Sequence, residues 1–421
     1  MSNIPSSPWP DSTLALLSDG YEFISKRCRR YDSDLFETRL LLQKVICMQG
    51  EAAAQLFYDN DRFQRQGAMP QRVIKTLLGQ GGVQGLDGEA HRRRKQMFMS
   101  LMTPEGIQDI AALTAEHWCA AIMTWENRDT VVFFEAVNDI LCRASCQWAG
   151  VPLPESHVQQ LTKDLVAMVE APAALGLRHW QGRLARNRAE RWLAQGVDDV
   201  RARVCPALET SAAHVMAWQR DQDGELLDRK VIAVELLNII RPIVAIGRFI
   251  VFMALALHEY PRYRQMLQAG SEEELTWFVQ EVRRFYPFFP AVAAVVKQEF
   301  VWQGYRFPQG RWVLLDLYGT DHDPRLWEQP EAFQPERFRS WKGSAFDFIP
   351  QGGGNHHQHH RCAGEWITIE LMKVALRALT QEMEYAVPSQ DLRFSLSQVP
   401  ALPKSRFIIG NVRAKPRASR V

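Results

Sequence analysis

The segment FDFIPQGGGNHHQHHRCAGEWITIELMKVAL, residues 346–376, joins a glycine-rich loop to a single cysteine and then to an amphipathic helix. Cys362 stands just ahead of a helix start near Gly364, where backbone N–H groups and the helix dipole favour a thiolate over a thiol. A thiolate can ligate iron. Gly352, Gly353 and Gly354 let a flat bulky group approach the backbone, and Gly364 lets the following helix pack close to it. Each feature also has a plainer reading, as a buried thiol and a flexible loop. The tract HHQHH at 356–360 offers a third, a surface zinc or nickel site with Cys362 as an added ligand. Against it, the GGGN run gives no helix to hold His356 and His360 on one face.

Working upstream, PERF at 335–338 supplies Arg337, and LTWFVQEVRRFYP at 275–287 places Glu281 and Arg284 one helical turn apart, where acid and base can bond. Phe348 ahead of the Gly-rich loop, His360-Arg361 before the cysteine and Gly364 after it complete a pattern. In the order ExxR, PERF, cysteine loop, the chain resembles the cytochrome P-450 haem-thiolate family over essentially its whole length. The resemblance implies a mainly α fold with a small β region, forming a single catalytic domain over 1–421. It implies haem b held by Cys362, whose thiolate pushes electron density toward the iron. It also places Gly354 and Gly364 at the cofactor and puts Glu281, Arg284 and Arg337 in a structural ion-pair group. His91 and Lys95 in HRRRK, with His360, fall where the family pairs side chains with haem propionates; a solvated basic helix face is the alternative.

The run DRKVIAVELLNIIRPIVAIGRFIVFMALALHEY, 228–260, reads as one long helix of about 50 Å at helical rise. Pro242 frees the carbonyl of Asn238 and predicts a kink. Arg241, among Ile239, Ile240, Ile243 and Val244, is costly to bury unless it meets an anion. A protein carboxylate would serve, and Arg248 is a rival anchor seven residues on; Glu235 lies too far upstream to stand in for the acid–alcohol pair that the resemblance to the haem-thiolate family would place on this helix. Arg-Pro here, with QGGG and GEWITIE around the cysteine, resembles the fatty-acid peroxygenase branch of the family. The resemblance implies a long-chain fatty acid whose carboxylate Arg241 binds, with Pro242 following it, hydrogen peroxide as oxidant, and no required redox partner. It also places Gln84, in the loop before the Glu89 helix, on the distal side. Leu78, Phe288, Phe289, Pro290, Ala291 and Val292 are the expected apolar walls. Hydroxylation at the α or β carbon is expected, with decarboxylation minor.

Composition sets the remaining bounds. A net charge of +2, from 50 basic and 48 acidic residues, supplies no basic field for nucleic acid. Seven cysteines, an odd number without a CxxC pair, and an opening MSNIPSSPWPDS that lacks a signal-peptide pattern lead to the expectation of a cytoplasmic protein. The apolar stretch 243–257 is shorter than the ~20 residues a bilayer requires and contains Arg248, so no transmembrane anchor is expected. Helical periodicity marks 34–55, 89–102, 106–123, 131–149 and 181–204. Alternation at 294–318 predicts a small antiparallel element, with strands again near 392–396 and 407–412 and a frayed end at 414–421. A reductase-dependent monooxygenase and a non-catalytic haem or fatty-acid binding protein are the functional alternatives.

Overall fold

The computed structural model describes residues 4–174, 176–204 and 208–416. Helices dominate. Those expected from periodicity form at Gly88–Met99, Pro104–Trp125, Phe133–Ala149 and Leu177–Arg201, each shifted by a few residues at its ends. Thr103 begins the second of them, its side chain accepting from the Gly106 N–H ahead of Pro104 at the first helical position. Ser271 and Glu274 form a reciprocal capping box that starts Glu272–Phe285, the helix carrying Glu281, Arg283 and Arg284.

At the centre runs the apolar segment read as one helix. It is built as Arg229–Ala245 followed by Gly247–Glu259, and Asp228 caps the start by accepting from Lys230 N at 2.8 Å. The interruption falls at Ile246 and not at Pro242, which stays within helical backbone. Gly247 sits there because its helix presses on Asn138 of Phe133–Ala149, leaving no room for a Cβ. This is the one helix long and apolar enough to cross a membrane among the described residues, and 94% of its most apolar window is buried inside the protein. It is the core of the molecule.

Residues 34–55 depart from expectation. They form an antiparallel hairpin, Leu35–Leu40 with Gln43–Met48, and only Glu51–Phe57 is helical. Both faces of the hairpin are buried, Leu35, Ile46 and Met48 in one apolar cluster and Phe36, Leu40, Val45 and Cys47 in another. A strand apolar on both faces loses its period of two and reads as a helix. The hairpin edges a five-stranded sheet continued by Trp312–Asp316 (parallel to Gln43–Met48), Ala291–Val296 and Phe63–Gln64. Phe300–Trp302 and Tyr305–Phe307 pair separately. The strand expected at 392–396 does not form; Ile408–Ala414 pairs instead with Met383–Ala386 and Thr130–Val132. The expected frayed end lies mostly outside the described residues.

Candidate active site

Cys362 is held in its loop by a backbone hydrogen bond from its N–H to the Gln351 carbonyl at 3.1 Å. Gln351 Nε2 lies 3.7 Å from Cys362 Sγ and donates to Thr368 Oγ1 at 3.0 Å, while its Oε1 accepts from Arg283 Nη2 at 2.9 Å. Arg283 also reaches Glu365 Oε1 at 2.5 Å, and Glu365 accepts from Arg361 Nε at 2.6 Å and meets His356 Nε2 at 2.9 Å. Arg283, Gln351 and Glu365 were not legible as partners of the cysteine. The cations around Glu365 overcome its burial and hold its carboxyl well below the usual range.

Its place at a helix start does not make Cys362 a thiolate, contrary to the expectation from sequence. Burial first, and then the Glu365 carboxylate, push the Cys362 thiol up, against the opposing pull of Lys95, the Gly364 N–H and Arg283. The helix N-terminus alone does not ionise it. Such a group becomes a thiolate when a metal cation sits against it. The surroundings fit a haem iron there. Gln351 Nε2 and the Gly364 N–H point at the sulfur, and a Cβ built on Gly364 would meet only open space. On the side of the Gly88–Met99 helix, His91 and His360 stack with ring centroids 3.9 Å apart, and Lys95 donates to the Arg361 carbonyl. Arg65, buried over the Phe57 ring at 4.2 Å, joins them. Burial and the neighbouring Lys95 take His91 down to about 4, and burial takes Lys95 to about 8 and Arg65 to about 10. Basic groups so strained by burial suit the two carboxylates of a haem.

The histidine tract is dispersed. His356 stacks on Trp366 at 4.2 Å and meets Glu365, His359 Nδ1 accepts from Asn355 N at 2.8 Å, and His360 stacks on His91. Among the described residues no group of three or more His, Cys, Asp or Glu is arranged to hold a metal ion.

Glu281 and Arg284 pair as the spacing required. Arg284 Nε and Nη2 each lie 2.8 Å from a Glu281 carboxylate oxygen, and Arg337 Nε joins at 3.2 Å. Arg284 Nη1 further donates to the carbonyls of Asp321 and Pro330 at 3.0 and 2.9 Å, tying the segment before the cysteine loop to the helix.

Arg241 is 5% exposed on the apolar central helix, and its Nε is buried without a hydrogen-bond partner. Among the described residues it forms no ion pair. Burial, reinforced by the charge of Arg186, brings its guanidinium down to about 9, and Cys362 opposes that shift. Arg248 differs, for its Nη2 reaches Glu170 Oε1 at 3.0 Å and its guanidinium lies over the Phe134 ring. One turn before Arg241, Asn238 Nδ2 donates to Glu235 Oε2 at 2.9 Å and Gln84 Oε1 at 3.3 Å, and Arg94 Nη1 meets Glu235 Oε1 at 2.6 Å. Phe288 stacks on Phe249 with centroids 4.1 Å apart, while Phe289 is 39% exposed. Ala291 and Val292 pack against different apolar clusters, since successive strand residues face opposite ways. Leu78 ends a turn of π-helix, Ile74–Leu78, and is half-buried.

The profile of the Cytochrome P450 family matches residues 273–409, which contain the Glu281–Arg284 pair, Arg337 and Cys362. Solved cytochrome P450SP alpha (CYP152B1) is 48% identical, covering 97% of this chain and 100% of that one with a TM-score of 0.95. The chain belongs to the cytochrome P450 family. Cytochrome P450EX alpha (CYP152N1), solved with myristic acid, is 44% identical with a TM-score of 0.96, over 99% of this chain and 100% of that one. The putative cytochrome P450 120 of Synechocystis is 25% identical over 93% of this chain and 92% of its own. As a cytochrome P450 the chain is a haem-thiolate oxidoreductase, and nearly its whole length takes that mainly helical fold.

Proposed function

We propose that this cytochrome P450 is a peroxygenase that hydroxylates long-chain fatty acids at the α or β carbon, with hydrogen peroxide as oxidant and no reductase. The observation that carries the reading is Arg241, a buried guanidinium on an apolar helix that forms no ion pair with a carboxylate among the described residues. A carboxylate ligand satisfies it by a bidentate, charge-assisted pair. Two relatives support the class of ligand: cytochrome P450EX alpha was solved with myristic acid, and an OleT cytochrome P450 variant, 34% identical over the full length of both chains with a TM-score of 0.96, with arachidonic acid. Cytochrome P450SP alpha has been solved as R241E, L78F and F288G, and the same three residues stand at the same numbers in this chain.

Cys362 would hold the haem iron, and His91, Lys95, His360 and Arg65 would meet its carboxylates; Gly364 leaves open space near the sulfur, whereas Gly354 packs on the His359 ring and shapes the loop. The bound haem supplies peroxide activation and oxidation of the C–H bond. Arg241 fixes the acid head, so that the first carbons of the chain are the ones presented for oxidation. Pro242 leaves the carbonyl of Asn238 without its usual helical donor. The carboxylate held by Arg241 carries the proton at its own oxygens, in place of a protein acid. Gln84 offers an amide beside it. Leu78 and Phe288, with Pro290, Val292 or Ala291, exclude water from the alkyl chain; Phe289, more exposed, lies toward the rim. The protein works as one catalytic domain, and we place it in the cytoplasm.

The test is turnover of a C14 acid by the purified holoenzyme with hydrogen peroxide alone, products read by mass spectrometry. Hydroxy acids are expected. Activity only after addition of a reductase and its electron source would overturn the proposal.

A further inference from the structure

Glu235 is fully buried two turns before Arg241, yet its ion-pair partner is Arg94 of another helix. Its two oxygens are engaged by Arg94 at 2.6 Å and Asn238 at 2.9 Å. Arg94 belongs to the Gly88–Met99 helix, which also carries His91 and Lys95, so the chain of bonds crosses from that helix to the central one. Burial raises the Glu235 carboxyl, against the pull of Arg94, Asn238 and the Val83 N–H. Held ionised by the Arg94 guanidinium, it only accepts hydrogen bonds, so Asn238 must turn its nitrogen toward it. That same nitrogen lies 3.3 Å from Gln84, whose nearer atom must then be the carbonyl oxygen. Asn238 Oδ1 is left buried without a partner. The polarity of both amides, Asn238 and Gln84, is thus dictated by one charge. A glycine packs at the junction: a Cβ on Gly82 would stand 3.0 Å from Asn238 Nδ2, Gln84 Oε1 and the Leu78 carbonyl alike.

We propose that Glu235 is a positioning residue: paired with Arg94, it acts through Asn238 to lock the Gln84 amide with its oxygen inward and its NH2 as the free, donor end. The inference rests on the reading that places Gln84 on the distal side of the haem. A donor end bonds the oxygens of a carboxylate or a peroxide and repels no anion, whereas a carbonyl end would do the reverse. Replacing Glu235 by Gln keeps shape but reverses the logic. Arg94 demands the new oxygen, the new NH2 faces Asn238, Asn238 turns its oxygen to meet it, and Gln84 follows by turning its carbonyl outward.

The test reads the C–O stretching band of the reduced carbon-monoxide complex of the holoenzyme, which needs neither fatty acid nor peroxide and so stands apart from the peroxygenase reading. A donor facing the bound gas lowers the band and a carbonyl raises it. Glu235→Gln is expected to move the band to higher wavenumber, Gln84→Leu to move it likewise, and the double variant to match Gln84→Leu alone. Asn238→Leu, which introduces no charge change, cuts the same link and is expected to shift the band upward if Glu235→Gln fails to hold haem. A band unmoved by Glu235→Gln and Asn238→Leu, while Gln84→Leu shifts it, would overturn the relay. A Glu235→Gln shift that persists in the Gln84→Leu background would overturn it as well, by revealing a general distortion. A band unmoved by Gln84→Leu would overturn the proposal one step earlier, at the placement of Gln84.

Discussion

Arg284 grips Glu281 with both edges of its guanidinium, Nε and Nη2 each 2.8 Å from a carboxylate oxygen, and neither side chain touches solvent. Removing one partner of such a pair leaves a buried charge uncompensated, at a cost of about 3–5 kcal/mol. Arg284 also holds the carbonyls of Asp321, Pro330 and Ala332, so the loss spreads to the segment ahead of the cysteine loop. Glu281→Gln is expected to lower the unfolding free energy from denaturant titration by that order and to shed haem on gel filtration; a variant as stable and as red as the parent would show the pair to be incidental.

Arg241→Ala should abolish the spectral change on titration with myristate while keeping haem. Arg248→Ala, whose side chain is already committed to Glu170, should bind the acid normally and lose stability instead. Because Arg241 loses its proton near pH 9, the dissociation constant for myristate in the parent should rise as pH climbs through that value. A Kd flat to pH 10 would show that Arg241 keeps its proton there, whereas unchanged myristate binding in Arg241→Ala would contradict the anchor.

Products from a C14 or C16 acid should be α- or β-hydroxy acids, with oxidation at the methyl end negligible, if Arg241 anchors the carboxylate as proposed. Gln84→His should increase the share of terminal alkene, because an imidazolium donates a proton and an amide does not. Mass spectrometry showing mostly alkene from the parent protein would refute the role given to Gln84.

Burial, against the pull of the Gly319 N–H, raises the Asp316 carboxyl to about 7 in the folded chain, above its unfolded value near 4. The folded state therefore holds a proton that the unfolded state releases, and the stability gained from it is full below pH 4 and lost as pH rises through 7. Asp316→Asn mimics the protonated form. Its thermal midpoint should equal the parent's at pH 4 and exceed it increasingly up to pH 7, with a constant gap above; a constant gap across the whole range would exclude the titration.

The hairpin tip Leu41-Leu42 holds both leucines at positive φ, 52° and 65°, while their N–H groups donate to Thr13 Oγ1 and Asp11 Oδ2 at 2.7 Å each. Two-residue turns of this shape favour Asn-Gly, and a left-handed residue with a Cβ costs roughly 1–2 kcal/mol. The double change Leu41→Asn, Leu42→Gly keeps both backbone donors and should stabilise the protein by about 1 kcal/mol or more in urea unfolding. Destabilisation would mean that the leucines make contacts outweighing their backbone strain.

Local signals were readable in the sequence wherever partners sit within one or two helical turns. Glu281 with Arg284, Cys362 with Gly364 and the buried Arg241 all belong to that class. The hairpin at 35–48 was misread because tertiary burial on both faces erased its alternation. The support of the cysteine by Gln351 and Arg283 escaped for another reason: Arg283 and Gln351 are 68 residues apart, and nothing local marks them as neighbours. Glu235, too far upstream in the sequence to suggest a part in the chemistry, bonds Asn238, which in turn reaches Gln84 across 154 positions. Arg65 was invisible among ordinary surface arginines until its burial was seen.

Arg241, a guanidinium in an apolar helix with no ion-pair partner among the described residues, also links the lifetime of the polypeptide to the supply of its lipid. By mass action, an acid at a hundred times its Kd adds about 2.7 kcal/mol to the folded state, and a protease that attacks only the opened chain then finds correspondingly fewer molecules to cut. Starved of fatty acid, the protein would be cleared; supplied with it, the same rate of synthesis would sustain a larger standing pool.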